Sequence, residues 1–455
     1  MATQSPSWLT RVPSGEGPLY LRILQALEAA IREGELQPGD QLPPQRAVAD
    51  VLKIDFTTVT RAYALARARG LIEGAVGRGT FVKAISAEDE AGVVDLSMNL
   101  PPPPEGLSLA KAMRETSRAI LDRTDFSALM AYHPGAGSVA HRAAAAAWLE
   151  PTLGEVPSER LLIAPGAQTG IAAVLSVLTR PGDTLIVEPL TYPGILALAA
   201  HRGLRLIPCP VDGEGFVPEA LEAACAAGAR AIYCTPTLQN PTTATMSLER
   251  RRDIARIVRA AGVPLIEDDP YARLLPQPLP ALASLAPGQV YHVATLSKCL
   301  TPGLRTAFIA APHARAAGRV GEALRALSLM ASPLMSAVVT AWVRDGTAEA
   351  ALAGVRAEAQ ARRAIAARLL SSARGGEQSL HVWLDLPLDR DLAQLREAGR
   401  RRGLAVVTAE AFAAAPNAGS GLRVSLGAAR DRKVLTEALG ALAQLLAPPG
   451  APLVV

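Results

Sequence analysis

The sequence of 455 residues has few of the features that mark exported, membrane-spanning or metal-binding proteins. Its four cysteines show no paired spacing, which favours reduced thiols over disulfides or a structural metal site. Its six histidines do not follow the spacing of metal ligands either. No uncharged apolar run reaches the roughly 18 residues of a membrane span, and residues 1–11 lack the basic-then-apolar order of a signal peptide. We therefore expect a cytoplasmic protein with no metal site and no membrane anchor.

The composition is that of a large globular protein. Hydrophobic residues make up 49% of the chain, and its length is enough for two or three domains with a substantial core. The formal net charge of +4 and the isoelectric point near 9.0 permit nucleic-acid binding without requiring it. The positions of the charged side chains therefore carry more information than their total.

Residues 1–83 have the pattern of a small DNA-binding domain. Apolar residues recur at helical spacing, and a glycine-rich turn then separates two short apolar segments. Asp55 is placed to cap the third helix. The predicted elements are helices over 19–33, 45–52 and 56–69 and strands over 71–73 and 80–82. Three helices followed by a hairpin predict a winged helix-turn-helix.

The third predicted helix would enter the major groove of DNA, where its first residues meet base edges and phosphates. Short hydroxyl side chains and arginines suit such contacts. Gly77 and Arg78, at the tip of the wing, suit a backbone or minor-groove contact. The alternative is that all of these residues are ordinary solvated positions of a small helical domain. The candidates in the helix and before it are Arg46, Thr57, Thr58, Thr60 and Arg61.

This segment resembles the winged-helix domain of GntR-type bacterial regulators. The stretches 42–49, 57–63 and 69–82 follow the pattern of that family over nearly the whole domain. One departure is visible, because Phe56 stands where many members carry an arginine just before the first threonine. The departure concerns one DNA contact and leaves the predicted fold unchanged.

The rest of the chain has the organisation of an α/β enzyme. Residues 84–93 carry three consecutive acids and no apolar periodicity, so they are predicted to be a linker. Helical and short apolar segments alternate over about 106–330, which predicts a large lobe built on a mainly parallel sheet covered on both faces. The predicted strands of this lobe are 160–164, 184–187, 205–208, 231–234, 264–267, 290–293 and 307–309. A helical region and three further strands predict a smaller α+β lobe over about 334–445. The predicted second domain spans 94–455.

The most informative stretch of this domain surrounds Lys298, which lies among small and hydroxylated residues. A lysine that forms a Schiff base must lose its proton, and burial and nearby cations favour the neutral amine. Ser297 and Arg305 could hold a phosphate through a hydroxyl group and a forked guanidinium. The alternative is a solvated loop lysine. The pattern favours a lysine that binds an aldehyde cofactor.

Two further patterns suit such a cofactor, although each is common on its own. Asp268 ends a predicted strand, where ligands of open α/β sheets bind, and its carboxylate could keep a pyridine nitrogen protonated. Gly166, Ala167 and Gln168 lead from a strand into a helix, and the N–H groups of a helix N-terminus form an anion site. These three residues are therefore candidates for a phosphate cradle.

Together these segments resemble the fold-type I aminotransferases that use pyridoxal phosphate, over roughly residues 95–445. The resemblance implies this cofactor and a homodimer whose two subunits share each site. It also implies roles for five residues. Tyr271 and Asn240 would bind the phenolic oxygen of the ring, Tyr192 would stack on the ring, Tyr132 would reach the phosphate of the neighbouring subunit, and Arg423 would grip an effector or substrate carboxylate.

A GntR-like domain followed by an aminotransferase-like domain resembles the MocR-type regulators from end to end. The resemblance implies a transcription regulator that binds operator DNA, holds pyridoxal phosphate as an internal aldimine at Lys298, and responds to the cofactor or to an amino compound. The competing hypothesis is a working aminotransferase with an accessory DNA-binding domain. A pyridoxal-phosphate lyase or decarboxylase is a third hypothesis. The sequence does not select the effector, the operator or the sign of regulation.

Overall fold

The computed structural model describes residues 7–12, 17–37, 39–75, 79–82, 93–133, 136–416 and 418–447. The chain divides into two compact units, Met1–Gly92 and Val93–Val455. The predicted linker over 84–93 lies outside the described residues, apart from Val93.

The first unit is a three-helix domain with a small antiparallel sheet. Its strands follow the order β1-β3-β2, so that β1 precedes the helix-turn-helix and β2 and β3 form the wing. This arrangement confirms the predicted winged helix-turn-helix. Its elements are α1 (Leu19–Arg32), β1 (Gln41–Leu42), α2 (Gln45–Leu52), α3 (Phe56–Ala68), β2 (Ile72–Ala75) and β3 (Gly79–Val82).

Local signals and a shared core hold this unit together. The Asp55 carboxylate accepts a hydrogen bond of 2.7 Å from the backbone N–H of Thr57, which confirms the predicted N-cap of α3. Leu24 of α1, Val48 of α2 and Val59 of α3 are buried in one apolar cluster. The amphipathic faces of the three helices therefore meet, as their spacing predicts.

A short 3-10 helix, Ser7–Arg11, precedes α1 and belongs to the same core. No element is predicted there from the sequence. The side chains of Trp8 and Leu9 are buried against the helices. The Arg11 guanidinium forms an exposed ion pair with Glu33, just beyond α1.

The second unit is built on a sheet in the order β5-β13-β12-β11-β10-β6-β7. Its strand pairs are parallel except that β13 runs antiparallel to both of its neighbours, so the sheet is mainly parallel as predicted. The strands of this unit are β4 (Val94–Asp95), β5 (Leu161–Ala164), β6 (Thr184–Val187), β7 (Arg205–Pro208), β8 (Val211–Asp212), β9 (Gly215–Phe216), β10 (Ala231–Cys234), β11 (Leu265–Asp268), β12 (Val290–Thr295), β13 (Ala307–Ala310), β14 (His381–Asp385), β15 (Leu404–Ala405), β16 (Val407–Thr408) and β17 (Gly421–Ser425).

Helices cover both faces of this sheet because successive strand residues point to opposite sides. Ile232 packs in one apolar cluster with residues of α9 and α10, whereas its neighbour Tyr233 packs in another with residues of α7 and α12. The helices are α4 (Leu109–Arg123), α5 (Phe126–Leu129), α6 (Val139–Leu153), α7 (Ala167–Leu178), α8 (Pro193–His201), α9 (Pro218–Ala226), α10 (Leu248–Ala261), α11 (Leu282–Leu285), α12 (Ala314–Ser328), α13 (Pro333–Asp345), α14 (Thr347–Leu369), α15 (Leu392–Arg401) and α16 (Arg432–Leu446).

A smaller lobe follows the large sheet. Its antiparallel strands follow the order β14-β17-β16, and β14 and β17 pack against α14 and α16 through a separate apolar cluster that includes Val382, Val424 and Leu439. At the start of the second unit, β4 pairs in parallel with β15. The segment that enters this unit is therefore attached to the small lobe before the chain reaches the large sheet.

Candidate functional site

One cavity of about 450 Å³ lies at the carboxyl edge of the large sheet, where β10, β11 and β12 end. Open α/β sheets bind ligands at this edge. The cavity brings together most of the predicted cofactor residues, which come from seven separate stretches of sequence. Those that line it are Ala167, Gln168, Tyr192, Asn240, Asp268, Tyr271, Ser297, Lys298, Arg305 and Arg423.

Lys298 lies in the turn that follows β12. Its ammonium group donates a hydrogen bond to the backbone carbonyl of Asn99. Burial and the nearby Arg423 guanidinium lower the pKa of Lys298 to about 8, although Asp268 opposes the shift. The amine is therefore far easier to deprotonate than an exposed lysine, as a Schiff-base nucleophile requires.

Asp268 is buried at the end of β11. Its Oδ2 accepts a hydrogen bond of 2.6 Å from the hydroxyl of Tyr233, whereas its Oδ1 is buried without a partner among the described residues. Burial raises the pKa of Asp268 to about 6, and the Tyr233 hydrogen bond and Lys298 act against that rise. A protonated pyridine nitrogen would supply the missing donor to Oδ1. Tyr233 was predicted only as part of a strand, and nothing local in the sequence marks its contact with Asp268.

The turn before α7 has the geometry of an anion cradle. Gly166 adopts a φ of 100°, and a Cβ atom there would lie 2.8 Å from Nη2 of Arg305, so a glycine lets the guanidinium approach the backbone. Ala167 and Gln168 begin α7, and the first N–H groups of a helix have no partner within it. The Gln168 side chain is held by the carbonyl of Gly194 at 2.9 Å, so its backbone N–H is the group that faces an anion.

Ser297 completes the polar end of the cavity. Its hydroxyl oxygen accepts a 3.0 Å hydrogen bond from Thr295, which leaves the hydroxyl proton of Ser297 to be donated elsewhere. Arg305 lies across the same end of the cavity and contacts the carbonyl of Pro165 at 3.4 Å. A hydroxyl donor, a guanidinium and helix N–H groups together fit a phosphate.

Tyr271 and Asn99 form a hydrogen-bonded pair inside the cavity. The Asn99 side-chain amide donates to the Tyr271 hydroxyl at 2.8 Å and lies 3.0 Å from Nδ1 of His381. Burial raises the pKa of Tyr271 above its ordinary value, so its hydroxyl keeps its proton and can donate. Burial and Arg423 lower the pKa of His381 to about 3, so that ring is neutral. Asn99 and His381 were not predicted, since each is far from Tyr271 in sequence.

Arg423 is buried on β17 and faces the cavity from the small lobe. Its Nη1 donates to the side-chain oxygen of Asn240 at 2.8 Å, and its guanidinium carbon lies 4.9 Å from the centre of the Phe412 ring. Its Nε is buried without a partner among the described residues. The hydrogen bond from Arg423 orients the Asn240 amide, and the guanidinium of Arg423 has the forked shape that binds a carboxylate.

The segment Asp95–Leu100, here called the arm, covers this part of the cavity. The carbonyl of Ser97 accepts from Nη2 of Arg423, and the carbonyl of Met98 accepts from the Ser425 hydroxyl at 2.7 Å. The carbonyl of Asn99 accepts from Lys298. The arm therefore uses donors of both Lys298 and Arg423, the two residues predicted to bind the cofactor and a carboxylate.

Two predicted residues have different surroundings. Tyr192 caps the N-terminus of α8 at the edge of the cavity, where an aromatic ring can cover a bound cofactor ring. Tyr132 does not line the cavity and is 79% exposed. Its predicted role concerns a neighbouring subunit and remains a prediction. Pro134 and Gly135, which follow it in the motif, lie outside the described residues.

In the first unit, most of the candidate DNA contacts lie on one face of α3. Thr57, Thr60 and Arg61 are exposed along it, whereas Thr58 is half-buried. Arg46, at the start of α2, is exposed as well. Gly77 and Arg78 lie outside the described residues.

The described part of the chain contains no group of three or more histidine, cysteine, aspartate or glutamate side chains that could hold a metal ion. None of its helices is both long enough and apolar enough to cross a bilayer.

Comparison with known proteins identifies the family of the chain. Residues 19–82 match the model of bacterial regulatory proteins of the gntR family, and residues 91–442 match aminotransferase class I and II. The HTH-type transcriptional regulator YdeF of Bacillus subtilis is 32% identical over 97% of both chains. The chain belongs to the MocR-type regulators. The vitamin B6 salvage pathway repressor PtsJ of Salmonella typhimurium is 30% identical, over 92% of this chain and 97% of its own length.

Solved structures place the second unit of this MocR-type regulator among the aminotransferases. LysN, the α-aminoadipate aminotransferase of Thermus thermophilus in complex with N-(5'-phosphopyridoxyl)-L-leucine, is 26% identical. The match has a TM-score of 0.71 and covers 85% of this chain and 97% of LysN. The fold class is therefore confirmed. Membership of the family implies pyridoxal phosphate as the cofactor, and the free oxygen of Asp268 and the cradle at Gly166 fit its two polar ends.

Proposed function

We propose that this MocR-type regulator holds pyridoxal phosphate covalently at Lys298 and changes its occupancy of operator DNA when the cofactor or an amino compound binds. The observation that carries the proposal is that one cavity contains both a half-buried lysine with a lowered pKa and the oxygen of Asp268 that has no partner among the described residues. A gntR-type DNA-binding unit lies in the same chain. Such a regulator acts where the bacterial chromosome is, so we place it in the cytoplasm.

Each residue of the cavity has a role in this proposal. Bound pyridoxal phosphate would supply an aldehyde for Schiff-base chemistry, and Lys298 would hold it through its neutral amine. Asp268 would accept from the ring nitrogen, and Tyr271 and Asn240 would bind the phenolic oxygen. Tyr192 would stack on the ring. The phosphate is held by Ser297, Arg305 and the N–H groups at the start of α7, which follow Gly166.

The arm is the physical route by which binding can reach the DNA-binding unit. A carboxylate that binds Arg423 competes with the carbonyl of Ser97, and a C=N bond at Lys298 removes N–H donors from the carbonyl of Asn99. The arm follows the predicted linker directly in sequence. A ligand can shift the regulator only by binding two arrangements with different affinity, and loss of these arm contacts supplies such a difference.

A homodimer fits both the predicted shared site and the surface of the second unit. Exposed apolar side chains occupy two segments that meet where the N–H of His133 contacts the sulfur of Met330 at 3.3 Å. Patches of this kind mark interaction surfaces. We define this apolar patch as Phe126, Met130, Tyr132, Val139, Leu327 and Leu329. A second copy of the chain would cover it and bring Tyr132 towards the partner's cofactor.

Two classes of effector are supported, one by a relative and one by the cavity. PtsJ is named a repressor of vitamin B6 salvage, which makes the cofactor itself one candidate effector. The unpartnered Nε of Arg423 favours a carboxylate-bearing amine as the other.

A working aminotransferase is the second candidate function, because the cavity contains a lysine, an acid for the ring nitrogen and an arginine for a carboxylate. Purified protein with amino acids and a keto acid separates the two functions. Repeated turnover at ordinary enzyme rates, with no sequence-selective binding to the DNA upstream of its own gene, would overturn the regulator proposal.

The covalent site is tested by Lys298→Ala. The variant should lose the visible absorbance of the protein–cofactor Schiff base, because no other residue is proposed to form the C=N bond. Lys433→Ala removes an exposed lysine on α16 and is the matched control. A band of full strength in Lys298→Ala would contradict the assignment.

The DNA-binding role is tested by Arg46→Ala, which should weaken operator binding and leave cofactor uptake unchanged.

A further inference from the structure

We infer that Phe56 is a base-reading residue of this regulator and that its ring contacts the 5-methyl group of a thymine in the major groove of the operator. The inference rests on the proposed operator binding and goes beyond it, because it assigns a specific base to a specific side chain.

Phe56 holds a position from which a side chain reaches base edges. It is the first residue of α3, directly after the Asp55 cap, and the first residues of the second helix of a helix-turn-helix meet the bases. Its side chain is 43% exposed, whereas Tyr63 on the same helix is 1% exposed. Large aromatic side chains bury most of their surface when the fold allows it. The Phe56 ring is therefore accessible at the surface of α3.

The hydroxyl groups of Thr57 and Thr60, near Phe56, form hydrogen bonds within the protein. The Thr57 hydroxyl donates to the Asp55 carboxylate. The Thr60 hydroxyl lies 2.9 Å from the side-chain oxygen of Gln45 and donates to it or to the carbonyl of Phe56 at 3.0 Å. With both hydroxyl protons so engaged, the exposed start of α3 presents the Phe56 ring and two methyl groups, beside the Asp55 carboxylate and the Arg46 guanidinium. The ring is therefore the main apolar feature of this surface.

Thymine is the base that such a surface can distinguish. In the major groove it alone among the four DNA bases presents a methyl group, and apolar side chains read that group by contact. The charges nearby suit the flanking phosphates. The Arg46 guanidinium lies 5.9 Å from the centre of the Phe56 ring, and the Arg61 guanidinium lies 4.2 Å from that of Tyr20. Arg46, beside the Phe56 ring, can hold a phosphate while the ring contacts the base.

The experiment uses the full chain and duplex DNA. Wild-type protein selects its preferred site from a random-sequence duplex library, and each thymine of the selected site is then replaced singly by deoxyuridine. This change removes the methyl group and keeps base pairing. We expect one position in each half-site at which uracil weakens wild-type binding by about fourfold, the effect of losing one buried methyl contact.

Variants of Phe56 connect this effect to the side chain. Phe56→Ala should bind the thymine and uracil duplexes equally, with an unchanged salt dependence because no phosphate contact is lost. Phe56→Arg should prefer guanine at the same position. Val51→Ala removes another exposed apolar side chain, on α2, and should keep the uracil effect. Hydrogen exchange of α1 and α3 amides checks that each variant is folded.

Two outcomes overturn the assignment alone: a selected site in which no thymine is sensitive to uracil, or a Phe56→Ala protein that keeps the wild-type discrimination. If wild-type protein enriches no sequence at all, the proposed operator binding fails and the assignment fails with it. The two proposals are therefore distinguished by the selection step.

Discussion

Burial disfavours the charged forms of both Lys298 and Asp268, and it therefore shifts both pKa values towards neutral pH from opposite sides. The low-dielectric cavity disfavours the charged form of each group, which lowers the pKa of Lys298 to about 8 and raises that of Asp268 to about 6. Because the two groups lie in the same cavity, the charge of each one partly opposes the pKa shift of the other. Two groups of opposite type with pKa values brought together in this way are typical of a site that moves protons.

The rate of Schiff-base formation should therefore depend on pH in a range far below that of free lysine. The neutral fraction of an amine with a pKa near 8 rises from about one tenth at pH 7 to about nine tenths at pH 9. We expect the rate at which visible absorbance appears to increase about tenfold over that range. Arg423→Gln removes a neighbouring positive charge and should move the curve to higher pH, whereas the exposed Arg252→Gln on α10 should not. A wild-type curve centred near the ordinary lysine value of 10.5 would contradict the assignment.

The residues that sequence reasoning missed share a physical reason. Tyr233 contacts Asp268 because β10 and β11 are adjacent strands of the sheet. The sequence of neither strand indicates which strand lies beside it. Asn99 meets Tyr271 across 172 positions of sequence. Lys298, Asp268 and the turn at Gly166 could be predicted because each lies in a recognisable local sequence pattern. Contacts that depend on the packing of distant segments leave no such pattern in the sequence.

At the scale of elements, the sequence predicted the strands of the large sheet well, but it did not predict the elements that form only through contacts with distant segments. The strands over 184–187, 205–208 and 231–234 were predicted with the bounds that the structure shows, since each is a short apolar run between turns. By contrast, β4 and β15 are two-residue strands that exist because they pair with each other. The 3-10 helix at Ser7–Arg11 is likewise fixed by burial of its apolar side chains in a core that other helices form.

That 3-10 helix should contribute strongly to the stability of the DNA-binding unit. Trp8 is 1% exposed, and replacing a buried tryptophan by alanine costs about 3 to 5 kcal/mol because a cavity remains. Trp8→Ala in the full chain should therefore speed hydrogen exchange of α1 and α3 amides and leave the amides of α7, in the other unit, unchanged. Arg11→Ala loses the exposed ion pair with Glu33 and a 3.4 Å contact with the carboxylate of Glu35, so its effect should be at most about 1 kcal/mol and well below that of Trp8→Ala. Equal protection in Trp8→Ala and wild type would show that the helix does not support the core.

For the whole molecule, the proposed homodimer would make regulation and cofactor binding depend on a second copy of the chain. The apolar patch lies on two segments that contact each other, and an isolated subunit would leave these side chains in water. The proposed dimer would cover the patch and would also present two DNA-binding units to two half-sites. Linking two binding events raises the apparent affinity well above that of one unit. Loss of the dimer should therefore weaken operator binding even when each DNA-binding unit is intact.

Val139→Glu is the sharpest test of this dependence. Val139 is 72% exposed and is the first residue of α6, where a carboxylate is compatible with the helix dipole, so the subunit should still fold. A charge within the apolar patch should raise the dimer dissociation constant at least about tenfold, because the carboxylate would be desolvated on association. Light scattering would measure the mass, and operator binding should fall in parallel. Leu388→Glu, at an 84% exposed position outside the patch, is the control that should remain dimeric. If Val139→Glu and wild type have the same mass at every concentration, the patch is not the dimer interface.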